Sequence, residues 1–300
     1  AMKMEHEVAA PADGVVANWR VGPGDPVTED QCLGTFEPVE GLEDAAVEAA
    51  TLDPDHIRPD LEEVLARRAE LEDASRPDAV ARRRSRNQRT ARENVEDLCD
   101  PGSFMEYGAF NLAAKRSRRA PEELRDKSPA DGMIAGFGSI NGDTFGGDAS
   151  RCGVFAYDFT VFAGTQGAYN HKKKDRMIDL VARAGVPLVV FAEGGGGRPG
   201  ETDTRLGLDI PTFARFAKLS GKVPLVGIVS GYCFAGNAAL LGCADVIIAT
   251  ENASIGMGGP AMIEGGGLGR YAPEEIGPID VQTRNGVVDI RVADEVEGCA

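Results

Sequence analysis

The apolar and polar positions fall into distinct textures along the chain. Residues 1–40 alternate apolar and polar around the turn signals Asp13-Gly14 and Gly22-Pro23-Gly24-Asp25, which predicts short β-strands and tight turns. Residues 41–59 are rich in Ala, Glu and Pro and read as a linker. Over 60–74 the spacing puts Leu61, Val64, Leu65 and Leu71 on one helical face, with Asp60 as N-cap. A second helix is expected over about 78–99, stopped by Pro101 and Gly102. From 130 onward, DGMIAGFGSING predicts a hairpin turning at Asn141-Gly142, followed by a buried strand through CGVFAYDFTVF. Strands at 186–193, 223–230 and 244–250 then alternate with helices at about 168–184, 205–220 and 234–242. These strands are apolar on both faces, so the pattern predicts an α/β fold: a parallel sheet covered by helices.

Composition narrows the class. Of the 300 residues 42% are hydrophobic, enough for a real core, and no apolar run approaches the length of a membrane span. No secretory leader is legible, and the six scattered cysteines form no CxxC pair, so a reduced, cytoplasmic protein is expected. The net charge of −16 argues against nucleic acid as a partner. Basic residues are nevertheless clumped at 81–92, 115–119 and 171–176, which suggests a local anion site or solvated helix faces.

The stretch FAEGGGGRPGETD (191–203) follows a parallel strand, where open α/β sheets bind ligands. It contains G-x-G-x-x-G, but Pro199 interrupts helix onset, and it lacks the Gly-Lys-Ser/Thr of a phosphate-binding loop. A third reading is a run of unshielded backbone amides able to stabilise an oxyanion. The segment SGYCFAGNAALLG (230–242) offers a second set of amides at Ala235-Gly236. The structural alternative is that small residues here only permit close packing. Cys233 has no histidine near it in sequence and reads as a core cysteine.

At these residues the chain resembles a known family. GYCFAGNAALLGCADVIIATENASIGM resembles the crotonase superfamily. RNQRTARENVEDLCDPGSFMEYG (86–108), DGMIAGFGSING (131–142), VFAYDFTVFAGTQGAYNHKKKDRMIDLV (154–181) and GGGGRPGETD (194–203) together resemble the carboxyltransferase of biotin-dependent acyl-CoA carboxylases. Residues 1–40 resemble the second half of a biotinyl carrier domain, with biotin on the lysine of AMKM, here Lys3. The organisation implied is a partial, all-β biotinyl segment (1–40, flattened barrel), a linker (41–59) and the N-terminal, crotonase-like half of a carboxyltransferase (60–300). The fold implied for that half is a β-β-α superhelix. Residues 1–38 would offer about four strands, too few to close a core, so the chain is expected to be an interior segment of a longer polypeptide. A helix is expected to begin where residues 293–300 stop.

The resemblance implies carboxyl transfer from carboxybiotin to the α-carbon of an acyl-CoA, with the enolate oxygen held by backbone amides and no protein general base. Gly195 and Gly196, then Ala235 and Gly236, are the expected amide donors. Arg86, Arg89, Lys172, Lys173 and Arg198 are the candidates for CoA phosphates. Biotin is the expected cofactor; ATP, bicarbonate and Mg2+ would act only through a biotin carboxylase partner. A carboxyltransferase C-terminal half and a hexamer-like homo-oligomer are also implied, and no metal or membrane. Two rival readings are a biotin-dependent acyl-CoA decarboxylase and a non-catalytic biotin carrier. The chain departs from the common Asp-Ser-Gly-Gly-Ala-Arg by Glu193-Gly194-Gly195-Gly196-Gly197-Arg198, and carries Asn237 where glycine is frequent.

Overall fold

The computed structural model describes residues 8–10, 12–39, 55–204 and 210–300. The chain divides into two units, Ala1–Arg58 and Pro59–Ala300. In the first, β1 (Gly14–Trp19) and β2 (Gly34–Pro38) pair antiparallel, with a register slip between Val16 and Asn18. The turn expected at 22–25 forms: Gly22 N–H donates to Asp25 Oδ2 at 2.8 Å and Asp25 N–H to Gly22 O at 3.1 Å. Asp13-Gly14, by contrast, leads into β1 rather than joining two strands. Two strands are described in this unit where about four were expected. Val15, Val16 and Trp19 stay exposed, since a two-stranded ribbon has no second layer to cover it. Lys3 lies outside the described residues.

The second unit opens with α1 (Pro59–Ala69). Asp60 falls inside this helix rather than capping it, because Pro59 takes the first helical position, where its missing N–H costs nothing. Leu61, Val64 and Leu65 are exposed, and only Leu71 of the expected face is buried. The helix expected over 78–99 is two helices, α2 (Pro77–Arg84) and α3 (Ala91–Leu98). Asn87 between them has φ +53°, which ends helical geometry, and Thr90 restarts it through a capping box with Glu93.

Next come β3 (Met105–Glu106), α4 (Pro121–Lys127), β4 (Met133–Ser139), α5 (Gly142–Phe145) and β5 (Arg151–Tyr157). Strands β4 and β5 form the expected antiparallel hairpin, but the connection is longer than a two-residue turn. Asn141 adopts φ +56° and leads into the single turn α5. Beyond Tyr157, Asp158 N–H still bonds across to Gly132 O at 3.0 Å, and the chain then turns, Val161 N–H donating to Asp158 O at 3.0 Å. The rest is α6 (Ala168–Ala184), β6 (Leu188–Phe191), α7 (Thr212–Ala217), β7 (Leu225–Val229), β8 (Tyr232–Phe234), α8 (Gly236–Leu241), β9 (Val246–Thr250), β10 (Ser254–Gly256), α9 (Pro260–Gly265), α10 (Ile279–Arg284), β11 (Ile290–Val292) and α11 (Glu295–Cys299). Residues 293–300 thus contain a helix rather than stopping short of one.

The main sheet runs β11-β9-β7-β6-β5-β4-β3, parallel from β11 to β5 and antiparallel at the β5-β4-β3 end. Alternate side chains serve two cores. Phe155, Leu188, Val190, Leu225 and Ile247 face Met177, Val181 and Leu241 of the helices on one side. Val154, Val189, Phe191 and Ile228 face Ala91 and Val95 of α3 on the other. Both faces are therefore buried, which is why these strands read as continuous apolar runs. The short β8 and β10 pair with each other, parallel, in a second sheet. Each follows a main-sheet strand and precedes a helix, so the repeat along the chain is β-β-α rather than the alternation of single strands and helices that the pattern predicted.

Candidate active site

Three loops meet at the C-terminal ends of β6 and β7. The first is 162–166, after β5; the second is 193–198, after β6; the third is 230–237, which includes β8. Backbone bonds tie them together. Gly194 N–H donates to Tyr232 O at 2.7 Å, and Phe234 N–H to Gly194 O at 2.8 Å. Gln166 N–H donates to Gly196 O at 2.7 Å, and Arg198 N–H to Gln166 O at 3.0 Å. The approach is too close for side chains. A Cβ on Gly194 (φ +150°) would lie 2.2 Å from Gly164 O, and one on Gly196 (φ +87°) 2.6 Å from the Ala235 methyl.

The amides predicted as oxyanion donors are mostly engaged within this framework. Gly195 N–H donates to Ala163 O at 3.0 Å, Gly196 N–H to the Asn237 side-chain Oδ1 at 3.0 Å, and Ala235 N–H to Gly256 O at 3.0 Å. These three are not free donors, because the loop-to-loop pairing takes them. Among the described residues, the loop-to-loop pairing leaves two glycine N–H groups of these loops unengaged: Gly236, one of the candidate donors, and Gly197, which sequence reasoning did not name. Gly197 is exposed, and a Cβ there would meet nothing within 4 Å, so open space lies beside it. Gly236 follows Ala235, whose φ +51°, ψ −118° is a strained conformation for a residue with a side chain. Such strain persists only where the surroundings enforce it; here Ala235 N–H is held by Gly256 O, and the turn brings Gly236 N beside Gly196.

The expected phosphate ligands separate into two groups. Arg198 is buried, paired with Asp131 and with Glu201 at 3.3 Å, and donates to Thr165 O at 2.8 Å. Lys173 is buried and donates to Ala130 O and Met133 O at 2.8 and 2.7 Å; burial pulls its pKa down to about 8. Arg89 pairs with Asp97 at 2.7 Å and donates to Glu93 O at 2.9 Å. These three brace the fold and are not free for an anion. Arg86 and Lys172 are exposed. Arg86 lies over the Phe159 ring at 5.4 Å, and Phe159 in turn meets Tyr232 edge-on at 6.2 Å, beside the glycine loop. Lys172 lies over its neighbour Tyr169.

Two further cations flank the loop. Lys115 sits over Phe162 at 4.7 Å and donates to Pro199 O at 3.0 Å, and the Arg118 guanidinium adjoins Gly200. The 115–119 island was visible in sequence, but nothing there indicated its folding against residue 199. Phe162 also lines a cleft of about 370 Å³ with Arg76, Arg82 and Lys127.

Neither Glu193 nor Cys233 is left poised at the loop. Glu193 turns into the protein, its Oε1 accepting from Arg83 Nη1 at 2.7 Å. Cys233 is fully buried, and burial pushes its thiol pKa up, which agrees with a core role.

A family model described as the carboxyl transferase domain matches residues 82–300. The propionyl-CoA carboxylase beta chain of Saccharopolyspora erythraea is 35% identical over 158 residues, 53% of this chain and 27% of that one. The methylmalonyl-CoA carboxyltransferase 12S subunit of Propionibacterium freudenreichii subsp. shermanii is 32% identical over 207 residues, covering 68% and 37%. Among solved structures, a single-chain, multi-domain long-chain acyl-CoA carboxylase superposes with TM-score 0.78 and 53% identity over 100% of this chain and 28% of its own. A transcarboxylase 12S structure gives TM-score 0.66 at 26% identity over 82% and 46%. The chain therefore spans about a quarter to a half of the length of these relatives.

Proposed function

The chain belongs to the carboxyl transferase domain family, and on that premise we propose that it transfers a carboxyl group from carboxybiotin to the α-carbon of an acyl-CoA. The observation that carries this reading is the pair of unengaged amides, Gly197 and Gly236, on loops pinned together at the strand ends. A thioester oxygen placed between them gains two hydrogen bonds as its enolate charge develops, and such donors are worth most where the charge forms. The open space beside Gly197 gives the thioester room. Carboxybiotin, when present, supplies the carboxyl group and the base for the α-proton. That division fits a loop whose neighbouring carboxylates are engaged: Glu193 with Arg83, and Asp131 and Glu201 with Arg198. This chain's own work is to hold the thioester and orient it. The cations around the loop, exposed Arg86 and Arg118 and half-buried Lys115, are our assignment for the CoA phosphates; Lys172 joins them only if the CoA extends along α6.

Biotin on Lys3 belongs to the same proposal. It is supported by the AMKM motif and by the match to a single-chain, multi-domain carboxylase over the whole of this chain. ATP, bicarbonate and Mg2+ would act on a biotin carboxylase part, and a second carboxyltransferase half would complete the acyl pocket. A hexamer-like assembly is proposed by analogy with the transcarboxylase 12S, whose structure is described as a hexamer. Among the described residues no helix is long and apolar enough to cross a membrane.

The test is fixation of isotopically labelled bicarbonate by the full-length protein with ATP and acyl-CoAs of increasing chain length. Label is expected in the acyl-CoA, and a Lys3→Arg variant should lose both that label and reactivity with streptavidin. Label in none of the acyl-CoAs would refute the reading.

A further inference from the structure

Lys174, on α6, is completely buried and makes no ion pair among the described residues. Its Nζ donates to the Tyr157 hydroxyl at 2.8 Å and to Gln166 Oε1. An isolated buried lysine is costly, so its persistence calls for a reason. The contacts beyond it provide one. A lysine has only donors, so the Gln166 atom facing it must be the oxygen. That turns Gln166 Nε2 toward Asn237, where it donates to Oδ1 at 3.1 Å. Asn237 is fixed by the backbone around it: its Oδ1 also accepts Gly196 N–H at 3.0 Å, and its Nδ2 donates to Gly164 O at 3.3 Å and Glu193 O at 3.1 Å. Lys174 and Asn237 hold the Gln166 amide from its two ends, and the two amides fasten all three loops of the site.

We propose that Lys174 is a positioning residue for carboxyl transfer, acting through Gln166 and Asn237 to hold the glycine loop so that the Gly197 and Gly236 amides meet the thioester oxygen. The proposal rests on the function assigned above. Without the lysine, the Gln166 oxygen loses its buried donor and the side chain is held from one end only, by Asn237. The strut between α6 and the glycine loop is then slack. The loop loses its fixed position while the surrounding core is untouched.

Two variants of the full-length protein test this. Lys174→Met removes the donor at similar volume; Gln166→Glu keeps a partner for Lys174 but presents an acceptor to Asn237. The readouts are kcat and KM for acyl-CoA, thermal melting, and hydrogen exchange at the Gly196 amide. We expect kcat to fall about 10²-fold in both variants, the cost of a small misplacement of reacting groups. KM should stay within about twofold. Melting of Lys174→Met should change little, since relief of the buried amine's desolvation offsets the loss of its bonds to Tyr157 and Gln166. Gly196 should exchange faster in both. Unchanged kcat with unchanged exchange would overturn the proposal, as would a kcat loss explained wholly by a loss of folded protein. If Lys174→Met fails to fold, Gln166→Glu decides. If the wild-type protein transfers no carboxyl group, the functional reading fails, and exchange at Gly196 alone judges the positioning role.

Discussion

Glu193 closes β6 with its carboxylate against Arg83, with Gln88, Ser230 and Glu295 linked into the same buried cluster. Burial pushes its pKa up to about 7, although Arg83 pulls the other way. A carboxyl that binds its proton more tightly when folded stabilises the native state most below its unfolded pKa, near 4.5. That contribution is lost as pH rises toward 7. Melting curves from pH 4.5 to 8 should therefore show wild type losing ground to Glu193→Gln as pH rises, and parallel curves would refute the assignment. At this scale the sequence singled out these loops, but it did not show that the Gly195, Gly196 and Ala235 amides are taken up by the pairing between them. Which amides of the glycine run stay open depends on its pairing with residues 163 and 166. Nothing in a row of identical glycines records that pairing. The basic residues were equally silent about their partners. Within 81–92, Arg83, Arg84, Arg89 and Arg92 pair with Glu193, Glu93, Asp97 and Glu106, while Arg82 and Arg86 are exposed and Arg86 lies toward the site.

Among elements, those with strong periodic or apolar patterns were legible. Helix α6 matches its expected span at both ends, closed by Gly185 in a left-handed conformation, and the parallel strands lie within their expected limits. The break between α2 and α3 was missed because helical periodicity runs through 85–90 and the decisive signal is local. Thr90 Oγ1 accepts from Glu93 N–H at 3.1 Å, while Glu93 Oε2 accepts from Thr90 N–H at 2.8 Å. Removing this box with Thr90→Ala should cost about 1 kcal/mol and lower Tm by roughly 2–4 °C. A melt indistinguishable from wild type would mean that α3 is held by its packing on the sheet alone. Strands β8 and β10 escaped notice for another reason. At three residues each they are shorter than the windows in which alternation shows, and they exist because their edges pair with each other and with Gly194.

Across the molecule, the proposed site gathers where the main sheet ends. The C-terminal ends of β6 and β7 deliver the glycine loop and the strained Ala235 turn, and the loop after β5 supplies their partners. The buried cations brace this arrangement and the exposed ones surround it. The fold class was readable because both sheet faces are covered, which leaves uninterrupted apolar strands. The site's wiring was not, because Gln166, Lys174 and Asn237 meet only after α6 packs beside the sheet. The central claim is that the Gly197 and Gly236 amides hold the thioester oxygen. Isotope-edited infrared spectroscopy of the thioester carbonyl of acyl-CoA bound to the full-length protein addresses it directly, since hydrogen-bond donation weakens the C=O bond. The band should lie below that of free acyl-CoA in wild type and in Gly197→Ala, which keeps the N–H, and should move back up in a folded Gly197→Pro, which lacks it. An unshifted band in wild type, or a full shift retained in Gly197→Pro, would contradict the account.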